Sequence, residues 1–549
     1  MASASEAPYA ITRKVALTFA GLCLLNLAVS LDALALSVAL PTIAKSMDAN
    51  TVESYWTGTA FLLSSAVFQP TLAAFSNCFG RRAVVLLSLT MFIVGTIICG
   101  TAHTVAQLLA GRTIQGAGGG GLLVMTYLLV ADLLPLQKRA QGMSLISIVW
   151  LIGAVSGPIM GTGFSEAVSW RWIFWFTLPF AGIGVVLIGF FMRTPHKGLH
   201  TLHAIKSVDW VGAAIFSASL SSFLVAISWG GSIYTWASYQ ELVPLILGLV
   251  GLCAWGWYEH KVAIQPMVHL VILSNRTAVI SYLGTFLVGF IQFALLYYLP
   301  LYYQAAKGYT ILISGVALLP QCLGSGMSGV ATGIIISKTG RYKTITLLGW
   351  ATLILGCGLL RLLSVQTTVA RWIFINVVSG LGIGIIAVAQ PIAAQAATAP
   401  KHAPMANGLT PFCRALGQAV GIVVGSAIAQ NVFKYSLHSF AANGNSIPDL
   451  ATLPLMLDDL SQGTSEKATL LAALMQSLQA VWWGLFTAAV LGGAISLALK
   501  ELSLASGAPS MGEESTGDKV RDLETEGGNN PLAGQNGEVQ AGKTRAAGK

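Results

Sequence analysis

The chain has 549 residues, of which 55% are hydrophobic and only 9% charged, and it carries a formal net charge of +9. Soluble domains have about a quarter of their residues charged, so this composition excludes a soluble globular protein and reads as an integral membrane protein. The positive balance does not point to nucleic acid, because Lys and Arg are scattered singly and in pairs along short loops, the pattern that orients membrane spans.

Residues 1–14 are polar and end in Arg13 and Lys14. The apolar run that follows is span-length and has no small-residue cleavage site behind it, so it is expected to be a signal anchor. Runs long enough to cross the roughly 30 Å hydrocarbon core fall near 15–37, 55–75, 83–102, 106–131, 143–164, 172–192, 210–229, 243–258, 277–302, 312–336, 343–363, 371–395, 410–432 and 478–499. The hydropathy pattern therefore predicts fourteen spans. The fourth carries Arg112 in its opening turns, then Gln115, Gly116, Gly118, Gly119, Gly120 and Gly121. The fifth carries Gly153, Gly157 and Gly161 on one helix face, where missing side chains let a neighbouring backbone approach, and Pro158, which invites a bend.

These patterns recur. Gly417, Gly421 and Gly425 repeat Gly153, Gly157 and Gly161 at an offset of 264 (417 − 153), and Gly380, Gly382 and Gly384 repeat Gly116, Gly118 and Gly120 at the same offset (380 − 116). A constant offset over two spans means duplication, the mark of a transporter whose site lies between related halves. The expected fold is all-α and polytopic: two six-helix bundles related by a pseudo-twofold repeat, plus two additional central helices. The expected divisions are a cytoplasmic N-terminus over 1–14, a first bundle over 15–192, a linker with the two extra helices over 193–276, a second bundle over 277–499 with a long external loop at 433–477, and a disordered cytoplasmic tail over 500–549.

Placing the N-terminus in the cytoplasm puts most loop Lys and Arg on that side, so both termini are expected inside. The loop acids Asp449, Asp458, Asp459 and Glu466 then lie outside. The seven cysteines lie within or beside apolar runs without paired spacing and read as small core residues, with no disulfide framework or metal site. The glycine run at 118–121 lies within a span and no Lys-Ser/Thr follows, so it is not expected to cradle a phosphate, which argues against an ATP-driven pump. All eight histidines fall in loops or at span ends, and no His/Asp cluster lies inside the bilayer, which argues against an enzyme.

Asp32 is the only carboxylate well inside a span. A charge at such depth costs about 2.5–3.5 kcal/mol on insertion scales, so its presence needs a reason. Burial favours the protonated carboxyl and a nearby guanidinium the ionised one, so a change of partner can load and unload a proton. Arg112 reads as the only basic residue deep in a span. Both sit about 8–12 Å from the external ends of their spans and are expected to be able to meet. Arg81 and Arg341 each follow a tight-turn glycine at equivalent places in the two halves and are candidates for gating contacts, with Asp132 as a possible acceptor for Arg81. Arg82 and Lys343 need no explanation beyond topology. Gln69, Gln115, Trp150, Gln292, Tyr297, Gln321, Asn376 and Gln390 are polar or aromatic groups within spans that could hold an amphipathic organic molecule. Tyr302 and Tyr303, near a span end, fit interfacial anchoring better.

From about residue 15 to 500 the chain resembles the major facilitator superfamily and, within it, the fourteen-span drug:proton antiporter group of the fungal toxin and multidrug efflux type. The residues that carry the likeness are Leu31-Asp32 followed by Val38-Ala39-Leu40-Pro41, Gly80-Arg81-Arg82 with its repeat over Gly333 to Arg341, Leu108, Arg112, Gln115 and Gly116, the Gly153 to Gly161 face with Gly157-Pro158, and Ser169-Trp170-Arg171-Trp172. The chain departs from the family's loop signature at Ala73 and Asn77, where Gly and Asp are usual, and from the fifth-span signature at Thr162. The resemblance implies proton-coupled efflux of a lipophilic organic compound such as a toxin, secondary metabolite or drug. It implies no cofactor other than a proton gradient, with the bilayer and the small lipophilic compound as partners, the chain acting as a monomer, and residence in the plasma membrane or, alternatively, the vacuolar membrane. The competing readings are proton-coupled uptake of a siderophore or nutrient, against which the glycine-proline face of span five weighs, and a transport-inactive membrane receptor.

Overall fold

The computed structural model describes residues 13–47, 51–192, 206–230, 234–263, 266–268, 270–438 and 465–502, with four isolated positions between 450 and 457. The segment before Arg13, Asp449, Asp458 and Asp459 and the tail beyond Leu502 lie outside the described residues, so the expectations made for them do too.

Among the described residues, 14 helices are long and apolar enough to cross a membrane. They are α1 (Arg13–Ser46), α2 (Thr51–Phe79), α3 (Arg81–Gly100), α4 (Val105–Leu133), α5 (Leu136–Ala167), α6 (Trp172–Phe191), α7 (Trp210–Trp229), α8 (Tyr239–Lys261), α9 (Arg276–Leu301), α10 (Leu319–Thr339), α11 (Lys343–Leu359), α12 (Val369–Ala396), α13 (Ala403–Ser436) and α14 (Ser465–Ser496). A π turn, Tyr302–Ala306, extends α9, and a short helix, Ile311–Val316, leads into α10. Several helices start with side-chain caps. Thr104 accepts from the Gln107 N–H at 3.3 Å, Asp209 from Gly212 at 2.8 Å and Asn275 from Thr277 at 2.9 Å, which satisfies donors left over at helix starts.

The helices outrun the apolar segments. α1 continues to Ser46 rather than ending near 37, and α13 begins at Ala403 rather than 410. The expected loop at 433–477 is likewise shortened, since α13 runs to Ser436 and α14 begins at Ser465. Hydropathy marks where a helix meets hydrocarbon; polar turns beyond that limit still satisfy their own backbone and stay helical.

α1–α6 pack among themselves, as do α9–α14, and α7 and α8 pair with each other while α7 leans on α2 and α13. The duplication is visible in contacts. Gly153, Gly157 and Gly161 of α5 lie against Ser30, Leu34 and Ala35 of α1, and Gly417, Gly421 and Gly425 of α13 lie against Phe286, Phe290 and Tyr298 of α9. On α4, Gly116 and Gly120 face α2 at Phe61, Ser64 and Ser65, whereas Gly118 faces α3 at Ser88 and Phe92. On α12, Gly380 and Gly384 face α10 at Gln321, Ser325 and Ser328, whereas Gly382 faces α11 at Leu353. The 264-residue offset thus repeats helix partners as well as letters. Gly80 (φ 87) and Gly340 (φ 68) are left-handed at matching turns, a conformation that a Cβ disfavours.

The halves touch at the end where α1 begins and, at the other end, where the short helix Ile311–Val316 meets α5. Tyr127, Val130, Leu134, Met143 and Ile146 of the first half share an apolar cluster with Ile336, Tyr342, Val388 and Ile392 of the second. Ser144 Oγ of α5 donates across to the Gly329 carbonyl of α10 at 3.3 Å. The clusters nearer the other end each stay within one half, one built around Ala35, Cys99 and Phe174 and the other around Leu299, Trp372 and Leu478.

Candidate functional site

The first bundle holds a buried charged cluster. Arg112 and Gln115 stand three residues apart on α4 and so share a face, and Asp32 comes to them from α1. Arg112 Nη1 lies 2.5 Å from Asp32 Oδ2 and 2.7 Å from Gln115 Oε1, while Arg112 Nε donates to the Thr57 carbonyl of α2 at 3.0 Å. Gln115 Nε2 donates to the other carboxylate oxygen, Asp32 Oδ1, at 3.0 Å and contacts Thr96 Oγ1 of α3 at 2.9 Å. The Phe61 ring lies 4.4 Å from the Arg112 guanidinium carbon, a cation–π contact. Four helices meet here because Gly95 lets α3 close on the Gln115 backbone and Gly116 lets α2 close on α4. Asp32 is 0% exposed and Arg112 1%. Both carboxylate oxygens have charged or amide donors, the condition under which a buried pair is tolerated; removing one partner of such a pair typically costs about 3–5 kcal/mol.

A second cluster lies at the end where α1 begins. Arg81, which is buried, pairs through Nε with Asp132 Oδ2 at 2.9 Å, and its Nη1 donates to Ser76 Oγ at 2.5 Å and Asn77 Oδ1 at 2.7 Å. Asn77, where an Asp is usual in the loop signature, still serves as an acceptor. Arg341 differs: it is exposed, and no ion pair to it occurs among the described residues. The residue equivalent to Asp132 in the second half (132 + 264 = 396) is Ala396, so no carboxylate stands where Arg341 would need one.

The proposed substrate contacts do not form one site. Gln115 belongs to the charged cluster. Asn376 Nδ2 donates to the Tyr303 hydroxyl at 2.7 Å and the Ala317 carbonyl at 3.1 Å. Gln390 lies on the same helix, fourteen residues (390 − 376) or about 21 Å farther along, too far to share a small ligand's polar group. Gln69 and Gln390 are 0% exposed; Gln69 Nε2 donates to Ser65 Oγ at 3.4 Å, while Gln69 Oε1 and both amide atoms of Gln390 find no partner. Trp150 packs on the apolar cluster shared by the two halves, Tyr297 packs on the second half's own cluster, Gln292 is half-buried and Gln321 is buried. Tyr302 and Tyr303 are fully buried, and Tyr302 donates to the Ser364 carbonyl at 2.8 Å. They lock the π turn to the loop before α12 rather than anchoring it at a bilayer surface.

Two features escaped the sequence reading. Arg139 Nη1 donates to Gln395 Oε1 at 3.1 Å, Gln395 Nε2 donates to Asn407 Oδ1 at 2.9 Å, and Asn407 Nδ2 donates to the Tyr127 carbonyl. This buried polar chain ties the two halves together, yet its members read as ordinary loop and span-end residues. Arg414 lies inside α13, so Arg112 is not the only basic residue deep in a span. Its place within the expected run at 410–432 was signal enough.

Duplicated bundles of membrane-crossing helices, with a buried ion pair inside one and a polar tie between them, define a polytopic membrane transporter. The comparisons with known proteins give the family. A model of the Major Facilitator Superfamily matches residues 22–422, and the chain belongs to that superfamily. It is 40% identical over 422 residues to MFS transporter L2 of Phoma sp., covering 77% of this chain and 71% of that one. It is 31% identical to efflux pump FUS6 of Gibberella fujikuroi over 498 residues, covering 89% of each. Among solved structures, the human organic anion transporter MFSD10 (TETRAN) superposes with a TM-score of 0.55 at 18% identity, over 88% of this chain and 99% of that one, a likeness of fold.

Proposed function

We propose that the protein is a proton-coupled antiporter that exports a lipophilic organic compound, with Asp32 as the proton carrier. The reading rests on one observation, the buried contact of Asp32 with Arg112 and Gln115. A proton on Asp32 cancels the charge that holds Arg112 and removes an acceptor from the cluster, so α1 and α4 lose their strongest mutual contact and the bundle can adopt a second arrangement. Return of the carboxylate restores the first arrangement. Coupling then needs only that the two arrangements open to opposite sides.

Efflux is supported by the relative named an efflux pump and by the glycine faces of α5 and α13, which seal each bundle against leak. The loop Lys and Arg support cytoplasmic termini. In that orientation the apolar cluster and the Arg139–Gln395–Asn407 chain close the cytoplasmic end. Asp32, fully buried in this arrangement, exchanges its proton when the bundle opens. The plasma membrane suits such an exporter, and a single chain contains both bundles it needs.

The test is flux in proteoliposomes against a panel of cationic, neutral and anionic lipophilic dyes. An imposed proton gradient should drive uphill accumulation of at least one dye by the wild type, and Asp32→Asn should abolish uphill accumulation while leaving the protein folded. Undiminished uphill transport by Asp32→Asn removes Asp32 from the coupling.

A further inference from the structure

Arg414 is a cation deep in the second bundle with no ion-pair partner among the described residues. Between Glu259 and Asp449 the sequence contains no Asp or Glu, so α9 to α13 cannot supply a carboxylate. The helices outside the second half that reach α13 are α2, α4 and α7; Asp32 is engaged by Arg112 and Asp132 by Arg81, and Asp209, the cap of α7, accepts from the Gly212 N–H and the Tyr258 hydroxyl. No ion pair to Arg414 occurs among the described residues. It stands eleven residues (414 − 403) into α13, about 16 Å from the helix start, and is half-buried, at a depth where charged side chains face a bundle interior or a water-filled cavity rather than lipid.

One of its donors has a structural task. Pro391 has no N–H, so the carbonyl four residues before it, that of Ala387, has no helical partner, and Arg414 Nη2 donates to it at 3.1 Å. That bond anchors the guanidinium on α12 but uses one of five donors, and a neutral Gln would serve as well. Arg414 Nε is buried without a partner. Gln390, on the same face of α12 three residues beyond Ala387, is 0% exposed and has both amide atoms unpaired, with Gly284 of α9 facing it. A guanidinium with spare donors anchored at Ala387, one helical turn from the unsatisfied amide of Gln390, matches an oxyanion bearing a neighbouring polar atom.

We propose that Arg414, assisted by Gln390, binds an acidic group, a carboxylate or comparable oxyanion, on the exported compound. The counter-charge missing from the second bundle arrives with the cargo. This rests on the exporter reading and narrows its substrate class to lipophilic acids.

The experiment measures binding to the full chain in zwitterionic phosphatidylcholine vesicles, using decanoate, benzoate and naphthylacetate, each beside its methyl ester. The wild type should bind at least one acid about tenfold or more tighter than its ester; Arg414→Gln should erase that preference, and Arg414→Lys should keep part of it. Esters binding as tightly as acids, acid binding unchanged in Arg414→Gln, or no binding of any acid overturns the proposal. Should Arg414→Gln not insert, the wild-type preference and the Arg414→Lys variant decide. Adding phosphatidylglycerol separates a lipid occupant: if this lipid displaces the acid from wild type at equal concentration, the site is a headgroup site and the proposal fails. The outcome is separable from the exporter reading, because uphill export of neutral and acidic dyes at equal rates defeats only the acid preference, whereas tight acid binding without uphill flux defeats only export.

Discussion

Arg81 and Arg341 follow equivalent left-handed glycines, yet their surroundings differ because the duplicated halves have diverged at one position, Asp132 against Ala396. Arg81 is buried among Asp132, Ser76 and Asn77, and hydrogen bonds to a charged group contribute about 1.5–3 kcal/mol each. Arg81→Ala is therefore expected to lower the thermal midpoint of the solubilised protein and cut flux about tenfold or more, while Arg341→Ala leaves both within about twofold of wild type. Equal losses would show that the two arginines share a role. The pairing of Asp32 with Arg112 could be anticipated from depth and span direction, because charges inside a bilayer have few partners. The roles of Asn77 and Gln395 could not, since an amide's partner depends on side-chain direction across helices that hydropathy does not orient. Arg414 was legible by position alone; its unpaired state emerged only with the contacts of α13.

At the scale of helices, the glycine faces were the most readable feature, because spacing of four fixes a helix face without knowledge of the neighbour. The neighbour itself follows from the repeat: α5 on α1 and α13 on α9. Leu at Gly157 or Gly421 must displace backbone and side chains of the facing helix, and overpacking of this kind costs about 1–3 kcal/mol. Both substitutions should reduce folded yield in size-exclusion profiles, whereas Gly163→Ala, where a Cβ meets open space, should not. A tolerated Gly421→Leu would count against close packing in the second half. Helix ends were less legible. α14 starts at Ser465, well before its apolar run, because Glu, Lys and Gln have helix propensities close to that of Leu and continue a helix beyond the hydrocarbon.

For the whole molecule, the division into two related bundles could be read from one number, the 264-residue offset, but which end they close could not. That depends on contacts between halves that no repeat encodes: the Tyr127 to Ile392 apolar cluster, the Ser144 to Gly329 bond and the Arg139–Gln395–Asn407 chain. The central claim is that protonating Asp32 releases this closed end. It is tested most directly by spin labels at the exposed positions Gln141 and Lys401, which lie in opposite halves beside the polar tie, with distances measured in wild type and in Asp32→Asn, the permanent mimic of the protonated carboxyl. The account predicts a short separation in wild type near neutral pH and a second, longer population in Asp32→Asn. Identical distance distributions in the two proteins would contradict it.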